Sequence, residues 1–248
     1  MLILLPPSEG KATSGEGPRL DTGALTLPDL AGARGRVMAA LTDLCAGPAD
    51  TAMDTLGIGP GQADALKRNL DLATAPAPRA ADLYTGVLYD RLGLADLPGA
   101  DGRVLIFSGL WGVVGPEDRI PPYRLSMGVR LPPLGGLGAY WKRALAAPLG
   151  ELTGGRLVVD CRSAVYAAAF APANGVTVRV LRERLVDGSV KRSVVSHMAK
   201  ATRGEIARSL LLEGVDAATP EELASALRDL GHTVELPDPR TLNVVVRD

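Results

Sequence analysis

The chain has 248 residues, 46% hydrophobic and 22% charged, which suits a globular protein of one large domain spanning 1–248. A formal net charge of −1 excludes a uniformly basic nucleic-acid binder, and two cysteines and two histidines provide neither a disulfide framework nor a dedicated zinc site. No apolar run approaches the ~20 residues that span a membrane, so we expect a cytoplasmic protein without membrane contact, metal or cofactor.

The first predicted strand is Leu2–Leu5, and the stiff Pro-Pro turn behind it carries three polar side chains, Ser8, Glu9 and Lys11. Lys11 could be a surface lysine paired with Glu9, and such pairs contribute only about 0–1 kcal/mol to stability. A flexible surface pair needs no stiff, glycine-containing turn, whereas loops held on rigid strands often carry function. We therefore predict a functional role for Lys11, with Ser8 and Glu9 beside it.

Residues 48–72 form an embedded element, two short predicted helices around the turn sequence LGIGPG. This pattern resembles a helix-hairpin-helix. Gly57 and Gly59 would permit a tight turn, with a positive φ or a close backbone contact, and the apolar residue between them would join the helices. The start of the second helix would suit a phosphate, and Lys67 and Arg68 follow one to two turns later. The alternative is a pair of packed helices that binds nothing.

Interleaved strands and helices predict an α/β fold, with a mixed parallel and antiparallel sheet covered by helices. Residues 176–196 are predicted to form an antiparallel hairpin around Asp187-Gly188, a favoured two-residue turn. The other predicted strands are residues 103–108, 156–161 and 241–247, and the other predicted helices are residues 27–45, 139–149, 199–214 and 219–231. In the last of these helices, Thr219 and Glu222 have the spacing of a capping box.

A long irregular segment, residues 108–128, follows the second buried strand, and such segments in compact domains are usually functional. Within it, Arg124 could clamp a carboxylate such as Asp118 or, equally, a phosphate. Tyr123 is interpreted as a packing residue whose hydroxyl is satisfied. The segment leaves the end of a strand, as the Lys11 turn does, and ligands sit beyond the carboxyl ends of parallel strands.

Positive charge is concentrated in two stretches. Residues 119–143 carry five Lys or Arg and no acid, and residues 179–208 carry eight against three acids. Together they would form a positive face that attracts phosphates, although charge runs are usually solvated surfaces. Lys200 and Arg203 lie in the first turns of the predicted helix at residues 199–214. A bound anion there would relieve their unfavourable interaction with the helix dipole. Four basic side chains are therefore expected to converge in one cleft: Lys11, Arg124, Lys200 and Arg203.

The sequence resembles the YaaA family of peroxide stress proteins, also catalogued as an uncharacterised protein family. Six stretches carry the resemblance, in order from the first residues to about residue 212. They are LILLPPSEGK, LYTGVLYDRL, FSGLWGVVGPEDRIPPYRLSMG, AYWKRAL, VVDCRSAVYAAAF and VVSHMAKATRGEIARSLL. The combination of GLWGVV, PYRLSMG and AKATRG is highly specific for the family.

The resemblance implies a cytoplasmic α/β protein with a helix-hairpin-helix and a positively charged cleft. It also implies DNA binding and protection against oxidative damage by limiting free iron. Lys11 matches the lysine of the family's opening turn, Arg124 the arginine of its PYR motif, and Lys200 and Arg203 its A-K-x-x-R-G pair. Many relatives have an acidic residue where Val165 precedes Tyr166 here.

Two functions from different classes follow. In the first, the helix-hairpin-helix and the basic cleft bind duplex DNA through its phosphates, with affinity that falls steeply with salt. In the second, the protein is an enzyme acting on a nucleotide or another phosphate-bearing small molecule. Its arginines and lysines would then bind the anion, Glu9 would be the acid or base, and Lys11 a nucleophile with a lowered pKa. A pocket too narrow for a duplex would favour the enzyme, and a shallow open groove the DNA-binding protein.

Overall fold

A computed structural model describes residues 1–12, 15–186 and 189–247. Within these residues, eight strands form one sheet, and two short strands pair separately. The strands are β1 Leu2–Leu5, β2 Val104–Ser108, β3 Gly112–Val114, β4 Arg130–Leu131, β5 Gly135–Gly136, β6 Val158–Asp160, β7 Gly175–Val186, β8 Ser189–Ser193, β9 Val234–Asp238 and β10 Thr241–Arg247. The predicted α/β fold with a mixed parallel and antiparallel sheet is confirmed.

Helices fill the connections between the strands and cover the sheet. They are α1 Ala31–Ala46, α2 Ala49–Leu56, α3 Asp64–Leu70, α4 Ala80–Leu83, α5 Val87–Leu92, α6 Leu137–Thr153, α7 Ala164–Ala167, α8 Ser196–Leu212 and α9 Pro220–Asp229. No helix in the described ranges is both long and apolar enough to cross a membrane.

The sheet has the order β3-β2-β1-β6-β7-β10-β9, and β8 pairs with the C-terminal part of β7. Strand β1 lies inside the sheet, parallel to β2 on one side and to β6 on the other. Every residue of β1 and β2 is buried, which explains their uninterrupted apolar sequences. Because the chain crosses from one side of β1 to the other, a crevice opens at the carboxyl ends of β1, β2 and β6.

The predicted hairpin is confirmed in its strands, since β7 and β8 pair antiparallel from Arg182 and Ser193 to Val186 and Ser189. The predicted turn, Asp187-Gly188, lies outside the described residues. The predicted cap of the α9 helix is also present. The side chain of Thr219 accepts a hydrogen bond from the Glu222 N–H at 3.2 Å, and the Glu222 carboxylate accepts one from the Ala218 N–H at 2.8 Å.

The helix pair predicted at 48–72 consists of α2 and α3, joined through a turn and a short 3₁₀ segment. Gly57 ends α2 in the left-handed region, with φ +63°, and the side chain of Ile58 is buried behind it. The expectation for Gly59 is wrong. Its φ of −87° is open to any residue, and a Cβ atom at this position would meet no neighbour within 4 Å. The geometry confirms two packed helices and one obligatory glycine, and it leaves the helix-hairpin-helix assignment unconfirmed.

Four strands were not predicted: β3, β4, β5 and β9. The first three have two or three residues each, too few for a periodic pattern to identify. Strand β9 contains a proline and two acids within five residues, a composition that is depleted in strands. It forms the edge of the sheet, where a proline is tolerated because it needs to donate no ladder hydrogen bond.

Candidate functional site

The turn after β1 is held in place by the segment between α4 and α5. Lys11 forms an isolated antiparallel bridge with Tyr84, and the Ala12 N–H donates to the Leu83 carbonyl at 2.9 Å. The hydroxyl of Tyr89 donates to the Pro6 carbonyl at 2.7 Å. These contacts fix the backbone on both sides of the turn, so the position of the lysine is set by the fold rather than by local preference.

The Lys11 side chain is half-buried between aromatic rings. Its Nζ donates to the Ser8 carbonyl at 2.8 Å and lies 4.3 Å from the ring centroid of Tyr123 and 5.4 Å from that of Tyr84. In the described ranges, no carboxylate lies within ion-pair distance of this Nζ. The aromatic faces therefore provide much of the electrostatic support for the ammonium group.

The two tyrosines are locked by a buried chain of hydroxyls. The Tyr84 and Tyr123 hydroxyls are 2.8 Å apart, and the Tyr123 hydroxyl lies 2.7 Å from the hydroxyl of Ser108, the last residue of β2. Ser108 in turn accepts hydrogen bonds from the Leu110 and Trp111 N–H groups. Burial raises the pKa of both tyrosines, so both stay neutral.

The environment of Lys11 favours its neutral form. The pKa of Lys11 is lowered to about 7, chiefly by burial; the charge of Glu9 opposes this lowering, and the positive charges of Arg124 and Arg68 add to it. Such a lysine can act as a nucleophile or exchange a proton near neutral pH, which an ordinary lysine with a pKa near 10.4 cannot.

Arg124 forms an ion pair with Glu9, so the carboxylate it engages is not Asp118, which instead accepts hydrogen bonds from Thr26 and Gly115. The exposed fraction is 20% for the Arg124 side chain and 56% for that of Glu9. A pair open to water on one side contributes little to stability. An incoming anion can therefore compete with Glu9 for the guanidinium.

The second helix of the pair also holds Arg124. Asn69, on α3, is buried, and its side-chain oxygen accepts from the Arg124 N–H at 2.8 Å. Its amide nitrogen donates to the Arg124 carbonyl at 2.9 Å. This two-way contact fixes the backbone of Arg124 relative to α3, and thereby couples the helix pair to the site.

A cavity of about 180 Å³ opens beside Lys11. Its lining comes from three distant parts of the chain. They are the β1 turn with Glu9, Gly10, Lys11 and Ala12; the helix pair with Gln62, Ala65 and Arg68; and the segment after β2 with Pro122, Tyr123 and Arg124. Three basic side chains thus face one enclosed space, with one carboxylate at its edge.

A larger cavity of about 550 Å³ lies on the other side of the β1 turn. It shares Glu9 and Gly10 with the smaller one, and Ser8, Lys200 and Arg203 contribute to its lining. The four basic residues expected in one cleft are therefore divided between two adjoining cavities. Arg203 is partly engaged already, since its guanidinium donates to the Val178 carbonyl at 3.0 and 3.2 Å.

Lys67 and Arg68, although adjacent in sequence, have different surroundings. Arg68 lines the smaller cavity, whereas the Lys67 side chain is 80% exposed and pairs with Asp71 at 2.6 Å. The helix pair is far from Lys11 in sequence, but it forms one wall of the Lys11 cavity.

Neither a metal cluster nor a disulfide is found in the part of the chain that the structure describes. No three His, Cys, Asp or Glu side chains among those residues are placed to hold a metal ion. Cys45 and Cys161 are buried and unbridged. Burial raises the pKa of both thiols, that of Cys161 to about 12, so neither favours the reactive thiolate.

Sequence reasoning missed Tyr84, Asn69 and Gln62 as members of the site. Tyr84 lies in the stretch LYTGVLYDRL, which was noted only for its resemblance to the family. The buried asparagine in KRNL was a usable signal, because a polar residue on the apolar side of a short helix needs a hydrogen-bond partner. Tyr123 was assigned to packing, and its hydroxyl is indeed satisfied, but its ring also lies under the lysine.

Comparison with known proteins gives a consistent picture. A family model described as peroxide stress protein YaaA matches residues 1–235. A UPF0246 protein of Streptomyces coelicolor is 50% identical over 244 residues, covering 96% of this chain and 94% of the relative. UPF0246 proteins of Corynebacterium efficiens and Corynebacterium glutamicum are each 40% identical, covering 99% and 95% of this chain and 100% and 95% of the relatives. Matches of this length and identity show that the chain belongs to the peroxide stress protein YaaA family.

Proposed function

We propose that this member of the peroxide stress family binds DNA through its phosphates, using the helix pair and the Lys11 cavity as one surface. A protein bound to DNA through this surface would help to limit iron-driven oxidative damage to the DNA. The helix pair would act as a helix-hairpin-helix and the basic side chains around Lys11 as the adjoining positive cleft.

The observation that carries the proposal is the placement of α3. This helix brings Arg68 to the same cavity as Lys11 and Arg124, and its Asn69 holds the Arg124 backbone in position. A helix pair that served only to pack would have no need to present a cation there. Backbone phosphates are ligands for such a group of side chains, because arginine and lysine contact them without reading base sequence.

The size of the cavity limits what can enter it. At about 180 Å³ the cavity is far smaller than a duplex requires. We therefore place the duplex across the mouth of the cavity and a single phosphate or sugar inside it. A nucleotide displaced from the base stack would reach furthest into the cavity. Its displacement costs least where the duplex is already distorted.

A salt-titrated binding assay on a short duplex tests the proposal, with Arg124→Ala compared to Arg130→Ala. Both changes remove an arginine of the same basic stretch, but Arg130 is exposed on β4 and does not line the cavity. For Arg124→Ala, we expect weaker binding and a slope of log K against log salt that is smaller by about 0.9, because one phosphate contact is lost. Arg130→Ala should retain the wild-type slope. Absence of salt-dependent binding by the wild type would refute the proposal, as would equal effects of the two variants.

A second candidate function is catalysis on a nucleotide or another phosphate-bearing small molecule. The enclosed shape of the Lys11 cavity favours it, together with the pKa of about 7 for Lys11. Equilibrium binding of mononucleotides and of inorganic phosphate to the wild type and to Lys11→Ala would distinguish the two functions. Tight binding of a free nucleotide that depends on Lys11, with no duplex binding, would favour the enzyme.

A further inference from the structure

We propose that Lys11 is a covalent nucleophile whose amine forms an imine with the aldehyde of an abasic deoxyribose in DNA. This inference rests on the proposed DNA binding and deepens it, because it names the lesion that the Lys11 cavity receives. The ligand of the Lys11 cavity would be an aldehyde flanked by two phosphates.

The surroundings of Nζ suit a nucleophilic amine. Its single hydrogen-bond partner among the described residues is the Ser8 carbonyl, at 2.8 Å. The nearest carboxylate in the site, that of Glu9, is engaged by Arg124. A neutral amine that donates one hydrogen to a carbonyl keeps its lone pair for another partner, and Lys11 lines the cavity where that partner would enter.

The aromatic walls keep this amine in place and limit its hydration. The rings of Tyr123 and Tyr84 face Nζ, and their hydroxyls are fixed to each other and to Ser108. The pKa of about 7 means that a large share of Lys11 is neutral at neutral pH. An ordinary lysine with a pKa of about 10.4 is neutral in fewer than roughly one molecule in a thousand at pH 7.

The size and charge of the cavity fit a sugar that has lost its base. The cavity of about 180 Å³ has room for a five-carbon sugar, and a nucleotide without a base needs no further space for a purine or pyrimidine. Arg68 and Arg124 stand on the cavity wall where phosphates on either side of the sugar could pair with them. A baseless nucleotide has lost its pairing and most of its stacking, so it leaves the duplex at the lowest cost.

The bond-making step needs no oxidant, reductant or metal. The Nζ lone pair attacks C1′ of the ring-opened sugar, a C–N bond forms, and the carbonyl π electrons move to oxygen, which takes a proton. The carbinolamine then loses one water molecule, leaving a protonated C=N bond between Lys11 and the sugar. Water reverses both steps. Borohydride supplied from outside delivers hydride to C1′ and converts the imine into a stable secondary amine, which makes the adduct measurable.

The link to peroxide stress is chemical. Oxidative attack on DNA produces bases that are lost from the sugar, and the remaining abasic deoxyribose exists partly as a free aldehyde. A member of a peroxide stress family with an accessible neutral amine beside phosphate-binding side chains is equipped to hold this lesion.

The test uses two duplexes of identical sequence. One contains an abasic deoxyribose, and the other contains a tetrahydrofuran analogue that has the same shape but no aldehyde. Binding to the tetrahydrofuran duplex measures DNA recognition alone. Borohydride trapping on the abasic duplex, read on a denaturing gel, measures imine formation. The proteins are the full-length wild type, Lys11→Arg and Lys142→Arg, where Lys142 is exposed on α6 and lines a separate cavity with Phe170 and Asn174.

We expect the wild type and Lys142→Arg to bind the tetrahydrofuran duplex alike and to give a trapped adduct at least tenfold above that of Lys11→Arg, with each yield expressed per molecule of bound duplex. The yield from the wild type should rise with pH around a midpoint of about 7. Peptide mapping should place the adduct on Lys11 rather than on the N-terminal amine of Met1, which is ion-paired with Asp216.

Three results would overturn the inference. Binding of the tetrahydrofuran duplex without trapping above the Lys11→Arg level would refute imine formation and leave the DNA-binding proposal intact. An adduct mapped to another amine would do the same. Absence of binding to the tetrahydrofuran duplex at low salt would refute the DNA-binding proposal, and the inference with it.

Discussion

At the scale of single residues, the central feature is a lysine held where its charge is unfavourable. The ammonium group of Lys11 has lost much of its hydration. Its contacts in the folded protein are one carbonyl and two aromatic faces. A group in such a position destabilises the folded protein whenever it is protonated. Folds keep groups of this kind where a reaction or a ligand needs them.

This cost gives a pH-dependent prediction for stability. The Lys11 pKa is about 7 in the folded protein against an ordinary value of 10.5 in the unfolded chain, so between these values the unfolded chain binds more protons. The free energy of unfolding of the wild type should therefore gain a rising contribution with pH from about 7 to about 10. Lys11→Met lacks this contribution, so its stability relative to the wild type should be greatest near pH 6 and decline as pH rises. Urea unfolding at pH 6, 8 and 9.5 measures the difference.

The matched control is Lys142→Met, which removes an exposed lysine and should show a nearly constant difference from the wild type over the same pH range. The same flat profile for Lys11→Met would mean that Lys11 has an ordinary pKa in the folded protein.

Sequence reasoning identified Lys11 because its signal is local: two prolines and a glycine stand among the five residues before it. It could not find Tyr84 or Asn69 as partners, because their roles come from contacts made across the fold rather than from neighbours in sequence. For Arg203, in contrast, the sequence motif suggested a role that differs from its contacts in the fold. Its motif marked it as an anion ligand, yet its guanidinium contacts the Val178 carbonyl in the folded chain.

At the scale of elements, α2 and α3 carry the most information. The sequence predicted two helices and a glycine turn, and both are present. The docking of the pair against Arg124 depends on Asn69, and no periodic pattern specifies such a contact. Buried strands were predicted more accurately, since Leu2–Leu5 and Thr241–Arg247 match the predicted bounds. Leu2–Leu5 is an uninterrupted apolar run and Thr241–Arg247 contains three consecutive valines, compositions that are typical of strands.

The two glycines of the turn form a matched pair for mutation. Gly57→Ala forces a Cβ atom into the left-handed region and should destabilise the protein by about 1–2 kcal/mol. Gly59→Ala meets no steric conflict, and its extended backbone suits alanine, so stability should stay equal or rise by up to about 1 kcal/mol. Urea unfolding of both variants measures the effect. Equal losses of stability would contradict the assigned turn geometry.

At the scale of the whole molecule, the site is a consequence of strand order. Because β1 lies between β2 and β6, the segments leaving all three strands meet at one edge of the sheet. Sequence reasoning predicted this convergence for the turn after β1 and the segment after β2. The division into two cavities was not, because it depends on how the β1 turn projects between them. Glu9 and Gly10 border both cavities, so one ligand could occupy both sides of the turn.

In our proposal, the helix pair and the β1 turn work as a single site around Lys11. The most direct test is peroxide survival of a strain that lacks its own protein of this family and carries a variant of this chain at equal protein level. Lys11→Ala and Arg68→Ala should both lose protection, since both line the smaller cavity. Lys67→Ala, which removes the adjacent but exposed cation, should protect as the wild type does. Wild-type survival with Lys11→Ala, or equal losses with Lys67→Ala and Arg68→Ala, would contradict the account.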